Sequence, residues 1–169
     1  RNKFYNNDRD IIRHGHRIMT IFIAHRGNIA GPNLKLENTP EYLQAAMDAG
    51  YGVEVDIQWD RGVLYYGHDY SLEPVDEKFI IKRDVFCHAK NIEAIPALMS
   101  LGCNVFVHDT DPCVYTSKGH IWCYPGVHVK SDKTIWLDLH GEPLPEDIPS
   151  KLYGICGDDS TIMSRVKDK

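Results

Sequence analysis

Two apolar segments with a helix between them constrain this chain more than any other feature. Residues 21–24 form a short continuous apolar run, the pattern of a strand buried on both faces. Thr39-Pro40 opens a helix. Threonine suits the N-cap, and proline at the first helical position lacks only an N–H that would have no partner there. Tyr42, Leu43, Ala46 and Met47 share an apolar face, and Gly50 ends the helix. Residues 51–57 follow as a second strand, with Val53 and Val55 on one face and Glu54 and Asp56 on the other. Strand, helix, strand in this order predicts a parallel pair joined by a crossover, hence an α/β sheet.

The pattern continues beyond the first unit. Asp60-Arg61-Gly62 is a turn, and residues 63–66 pair back as a strand. Residues 71–82 are charged and irregular, a loop over the active face. Residues 85–88 and 104–107 read as strands, separated by a helix over 92–101 that Pro96 should kink or shorten. Later apolar runs at 121–124, 134–139 and 152–156 lack helical patterns between them, and prolines interrupt their connections. Polar residues stand just after the strands, at His25, His68, His108 and Asp158. In a (β/α) barrel that edge carries the chemistry, but such barrels usually run to about 250 residues. With 169 residues, the expectation is a small, pared-down TIM-type (β/α) barrel with several late helices shortened or missing.

Residues 19–169 fit one domain. Residues 1–18 are charged and lack a signal-peptide core, so they are expected to be a leader, disordered or foreign to the native chain, with Met19 as the native start and no role for His14 or His16. The formal charge is −5 and no basic stripe occurs, which argues against nucleic-acid binding. No apolar run approaches the ~20 residues of a transmembrane helix. The five cysteines include no C-x-x-C pair, so a zinc ribbon is not expected; reduced thiols in a cytoplasmic protein are.

Glu54 and Asp56 point to one face, where two carboxylates repel and are costly to bury unpaired. A divalent cation with oxygen ligands resolves both problems. His25 and His68 each end an apolar run, and imidazoles titrate near neutrality, so one can accept a proton while another donates one. Arg26 offers a positive fork suited to phosphate oxygens.

Ile23-Ala24-His25-Arg26-Gly27, Glu37-Asn38-Thr39, Gly52-Val53-Glu54-Val55-Asp56 and Gly67-His68-Asp69 follow one another in order. Across 21–72, about a third of the chain, this series resembles the signature of the glycerophosphodiester phosphodiesterases, which belong with the phosphatidylinositol-specific phospholipase C type barrels. The resemblance implies a metal-dependent phosphoric diester hydrolase of lipid metabolism acting on small glycerophosphodiester-like substrates. It implies His25 and His68 as catalytic residues, Arg26 at the phosphate, Glu54, Asp56 and Glu37 at the metal, and Mg²⁺ or Ca²⁺ as the cation. The chain departs from the family at Phe86-Cys87-His88-Ala89-Lys90. Lys90 matches a lysine of the pattern and is assigned to phosphate, whereas His88 stands where a further metal-binding glutamate is usual. Two readings of His88 stay open: a softer, uncharged metal ligand that would open the site to Mn²⁺ or Zn²⁺, or a residue that binds nothing, with water in the ligand position. Two other classes stay open: a degenerate barrel that binds phosphodiesters without turnover, and a zinc hydrolase using His25, His68, His88 and His108.

Overall fold

Ile23 and Gly52 sit side by side as partners of parallel strands, so the first strand–helix–strand unit closes as its sequence pattern requires. The computed structural model describes residues 19–139 and 143–167. The expected leader at 1–18, with His14 and His16, lies outside the described residues.

Strand β1 (Ile21–His25) leads through helix α1 (Pro40–Asp48) to β2 (Gly52–Asp60), which turns back into β3 (Val63–Tyr66). The turn is made by Arg61 and Gly62, both at positive φ (46° and 92°), a conformation that suits the twist of a hairpin. A one-turn helix α2 (Glu77–Ile80), β4 (Val85–Ala89), α3 (Ala94–Ser100) and β5 (Asn104–Phe106) come next. The remaining elements are almost all strands: β6 (Cys113–Tyr115), β7 (Ile121–Cys123), β8 (Thr134–Asp138), β9 (Ile148–Pro149), β10 (Gly154–Gly157) and β11 (Val166–Lys167), with a 3₁₀ segment at Ser160–Arg165.

Eight strands run in the order β5-β4-β2-β1-β10-β8-β7-β6, and β3 pairs with β2 off that path. All neighbours are parallel except the β2–β3 and β6–β7 hairpins. The two ends of the sheet approach each other through Ser117, whose N–H donates to the Val105 carbonyl at 2.7 Å and whose Oγ accepts from the Val105 N–H at 2.9 Å. The result is a nearly closed, barrel-like sheet with few helices. After α3 there is no further α-helix among the described residues.

Alternation sorts the side chains into two cores. Ile23, Phe86, Phe106, Trp122, Ile135, Leu137 and Cys156 fill the inside of the curved sheet. Val53, Val55, Ile57, Val85 and Ile155 point outward and pack with Leu43 and Ala46 of α1 and Leu98 of α3. Phe106 and Trp122 stack at 4.3 Å between centroids inside the sheet. The inner plug is therefore apolar towards one end of the strands and gives way to His25, Glu54, Asp56 and His88 at the other.

Some local expectations need correcting. Thr39 is the N-cap residue of α1, but its hydroxyl donates to the Leu36 carbonyl at 2.7 Å and caps nothing. Of the two outcomes expected at Pro96, the helix is shortened: α3 begins at Ala94 and not at 92, which places the proline within its first turn. Asn91, ahead of that helix, exchanges two hydrogen bonds with the backbone of Trp59.

The outer core generates a stability test. Leu43 is fully buried whereas Leu34 is 85% exposed. Leu43→Ala should cost about 2–5 kcal/mol in urea unfolding, and Leu34→Ala should stay within about 0.5 kcal/mol of the parent.

Candidate active site

β2 carries the centre of the site because its inner face is acidic. Glu54 is 2% and Asp56 0% exposed, and both stand at the C-terminal end of the parallel strands. Register brings His25 of β1 beside Glu54, and His88 of β4 beside Asp56. His88 Nδ1 lies 3.5 Å from Glu54 Oε1 and 3.3 Å from Asp56 Oδ1. Among the described residues, these three side chains are the group whose donor atoms gather within 4.8 Å and suit a metal ion.

Asp56 is held tightly on one side only. Its Oδ2 accepts from Asn38 Nδ2 at 3.0 Å and pairs with Arg26 Nε at 2.8 Å, while its N–H donates to Asn38 Oδ1 at 2.9 Å. Its Oδ1 is buried and has no aligned hydrogen-bond donor; Lys90 Nζ stands off at 3.8 Å. A buried carboxylate oxygen left without a donor is costly, and a cation between Glu54, Asp56 and His88 would satisfy it. Burial opposes charge on Asp56, but His88 and Arg26 outweigh it and keep the carboxyl well below its ordinary pKa. Burial likewise disfavours a charged His88, yet Asp56 and Glu54 prevail and raise its pKa to about 9.

His25 is positioned by a different acid. Its Nδ1 donates to Asp158 Oδ1 at 2.8 Å, which leaves Nε2 free and 4.0 Å from Glu54 Oε2. Burial works against the imidazolium here too, but Asp158 and Glu54 hold the pKa above the usual value. Asp158 follows β10 and adjoins Asn28, which donates both to Asp158 Oδ1 and to Glu37 Oε1 at 2.9 Å. Glu37, implied as a metal ligand, lies outside the three-residue group; its Oε2 accepts from Arg26 Nη1 at 3.1 Å. Arg26, implied at the phosphate, is thus clasped by Asp56 and Glu37.

The tight turns around the site depend on backbone conformation. Arg26 (φ 53°) and Gly27 (φ 90°) reverse the chain after His25, and α1 packs so closely that a Cβ on Gly27 would meet the Tyr42 ring at 2.8 Å. At Gly67 (φ 135°) a Cβ would fall 2.1 Å from the Tyr70 carbonyl oxygen, so only glycine fits. Gly67 N–H donates to the Asp56 carbonyl at 3.0 Å, which anchors the following His68 beside β2. His68 Nδ1 pairs with Asp69 Oδ1 at 2.7 Å in a more open setting.

His25, Arg26, Glu54, His68, His88 and Lys90 all line one cavity of about 230 Å³. Phe106, Trp122, Leu137 and Leu139 add an apolar part to the lining, joined by Tyr124 and His108, whose rings stack at 4.3 Å. A second, more polar cavity of about 480 Å³ shares Arg26 and His68 and is flanked by Leu34, Tyr70 and Leu72. Tyr70 flanks the second cavity and Tyr124 the first, whereas Tyr66 is buried in the outer core. Sequence patterning pointed to Asp158 as an acid after a strand, but Asn28 and the apolar wall carry no local signal. Their neighbours come from distant parts of the chain.

No family model, curated protein or solved structure matches this chain.

The raised His88 pKa has a measurable consequence in metal-free protein. A group charged more readily when folded contributes stability that is complete below its ordinary pKa of 6.5 and is lost as pH rises through about 9. In EDTA-treated protein, NMR should show the His88 ring titrating near pH 9. Urea midpoints should fall over that window, and His88→Gln should flatten the fall.

Proposed function

We propose that this chain is a metal-dependent phosphodiesterase built on a pared-down TIM-type barrel, acting on glycerophosphodiester-like substrates with His25 and His68 as its acid–base pair. One observation carries this above all: Glu54, Asp56 and His88 gather their donor atoms at one point, where Asp56 Oδ1 is buried without an aligned hydrogen bond, in a cavity that also presents both histidines. Glu54, Asp56 and His88 would hold a divalent cation, whose chemistry is to neutralise charge on a phosphate oxygen and to lower the pKa of a bound hydroxyl.

The residues of the chain supply the rest. Asp158 fixes His25 with Nε2 towards the cavity, the orientation a proton-transfer group needs. His68 faces the same cavity from the turn after β3. One imidazole takes the proton of the attacking hydroxyl, and the other returns a proton to the leaving alkoxide. Lys90 adds positive charge beside Asp56 where phosphate oxygens would sit. Arg26 adds a second positive charge and also keeps the carboxylates in place. A phosphodiester has two ester arms, and two cavities meet at Arg26 and His68. The phosphate at that junction would send one arm along each.

The soft histidine ligand favours Mn²⁺ or Zn²⁺ as readily as Mg²⁺ or Ca²⁺. The zinc hydrolase with four histidine ligands has less support, since only His88 joins the metal-suited group and His108 is stacked on Tyr124. No described helix is long and apolar enough to cross a membrane.

The test is cleavage of bis(p-nitrophenyl) phosphate and of glycerophosphodiesters with each cation in turn. Activity should require the metal and drop about 10²–10⁴-fold in His25→Ala and in His68→Ala. Asp56→Asn should abolish the metal stimulation. Metal binding by calorimetry with no turnover on any diester would instead establish the degenerate barrel.

A further inference from the structure

We infer that Cys113 and Cys123 form a redox-controlled cross-strand disulfide at the edge of the barrel. The two residues are direct Cα partners in the antiparallel β6–β7 hairpin, so their side chains leave the same face of the sheet. The hydrogen bonds fix which kind of pair they are. Tyr124 N–H donates to the Pro112 carbonyl at 2.9 Å, and Thr116 N–H donates to the His120 carbonyl at 2.9 Å. Pairs 112/124 and 116/120 are therefore hydrogen-bonded, and 113/123, one step inward from the first, is not. Opposed residues of a non-hydrogen-bonded pair have Cα atoms only about 4.5 Å apart, inside the range of about 4.4–6.8 Å that a disulfide spans.

Access distinguishes this pair from the other thiols. All five cysteines are free, but Cys87, Cys103, Cys123 and Cys156 are buried and Cys113 is partly exposed. Cys87 and Cys103 also adjoin each other, between β4 and the start of β5, yet both are buried, whereas the Cys113–Cys123 pair has one partly exposed thiol. Cys113 is the thiol an oxidant meets first, and Cys123 stands behind it as the resolving partner. With hydrogen peroxide, the Cys113 thiolate takes one oxygen to become a sulfenic acid. Cys123 sulfur then displaces it, so two thiols and one peroxide give one disulfide and two waters. With a small-molecule disulfide such as oxidised glutathione, a mixed disulfide at Cys113 is resolved by Cys123 and two thiols are released.

The bond would tie the open end of the hairpin immediately before Tyr124 and Pro125, two residues of the apolar cavity wall. It would also fasten the strand that ends the sheet.

The test uses the full chain, reduced, desalted and exposed to oxidised glutathione or a small excess of hydrogen peroxide. Titration in denaturant should then find three thiols where the reduced protein has five. Trypsin leaves Cys103 and Cys113 on one peptide, so fragment spectra of the non-reduced digest must place the link on Cys113 and Cys123. The oxidised protein should melt about 5–10 °C higher than the reduced one, and Cys113→Ser should keep all four of its thiols and show no such rise. The inference is overturned if five thiols persist, if the link joins Cys87 to Cys103, or if it joins two chains.

Discussion

Burying two carboxylates two residues apart on a central strand is the constraint around which the polar end of this molecule is organised. Glu54 and Asp56 are almost wholly shielded from water, and at such burial their mutual repulsion is barely screened. Every neighbouring element answers that charge. β1 and the turn after it bring His25 and Arg26, the loop before α1 brings Asn38, and β4 brings His88 and Lys90. The backbone accommodates them at some cost, since Arg26 and Asn38 both adopt positive φ, an uncommon conformation for residues with a side chain. Such strain persists only where surrounding contacts over-determine it, and here it coincides with the densest set of ion pairs in the fold.

That arrangement meets one Asp56 oxygen only with His88 Nδ1 at 3.3 Å and Lys90 Nζ at 3.8 Å, neither an aligned hydrogen bond, and this imperfection gives the site its chemical meaning. A purely structural ion cluster is stable when each charge is matched and each lone pair satisfied. Here the residual acceptor points at the place where Glu54 and His88 also offer atoms. The cavity lining is mixed: Glu54, the imidazoles and Lys90 share it with Phe106, Trp122, Leu137 and Leu139, and the His88 ring stacks on Phe106 at 4.7 Å. Apolar lining lowers the local dielectric and strengthens the charges beside it.

The sheet achieves its curvature with little helical cladding. α1 and α3 cover β1, β2, β4 and β5 in the way a crossover helix does, whereas the later strands are connected by loops and a hairpin. Near-closure is made by Ser117 in that hairpin's turn, by Asn104 against His120 at 3.2 Å and by the stacked Phe106 and Trp122. The β6–β7 hairpin is consequently the seam of the barrel, and its position next to the cavity makes the geometry of the seam matter to the site.

Much of this was legible in the residue order. The apolar run ending in His25, the helix opened by Pro40 and ended before Gly50, and the alternation that puts Glu54 and Asp56 on one face are all local patterns, set by backbone period and turn chemistry. β6, β9 and β11, two or three residues each, were not legible, because strands that short have no periodicity and exist through their partners. Nor were Asn28 bridging Glu37 to Asp158, Arg26 clasped between two acids, or the aromatic lining beside them. The sequence alone determined which residues share a face and where strands end, since those depend on neighbours two to four positions away. Only the tertiary structure decided which faces meet, because sheet register joins residues more than a hundred positions apart through backbone hydrogen bonds that are the same for every side chain.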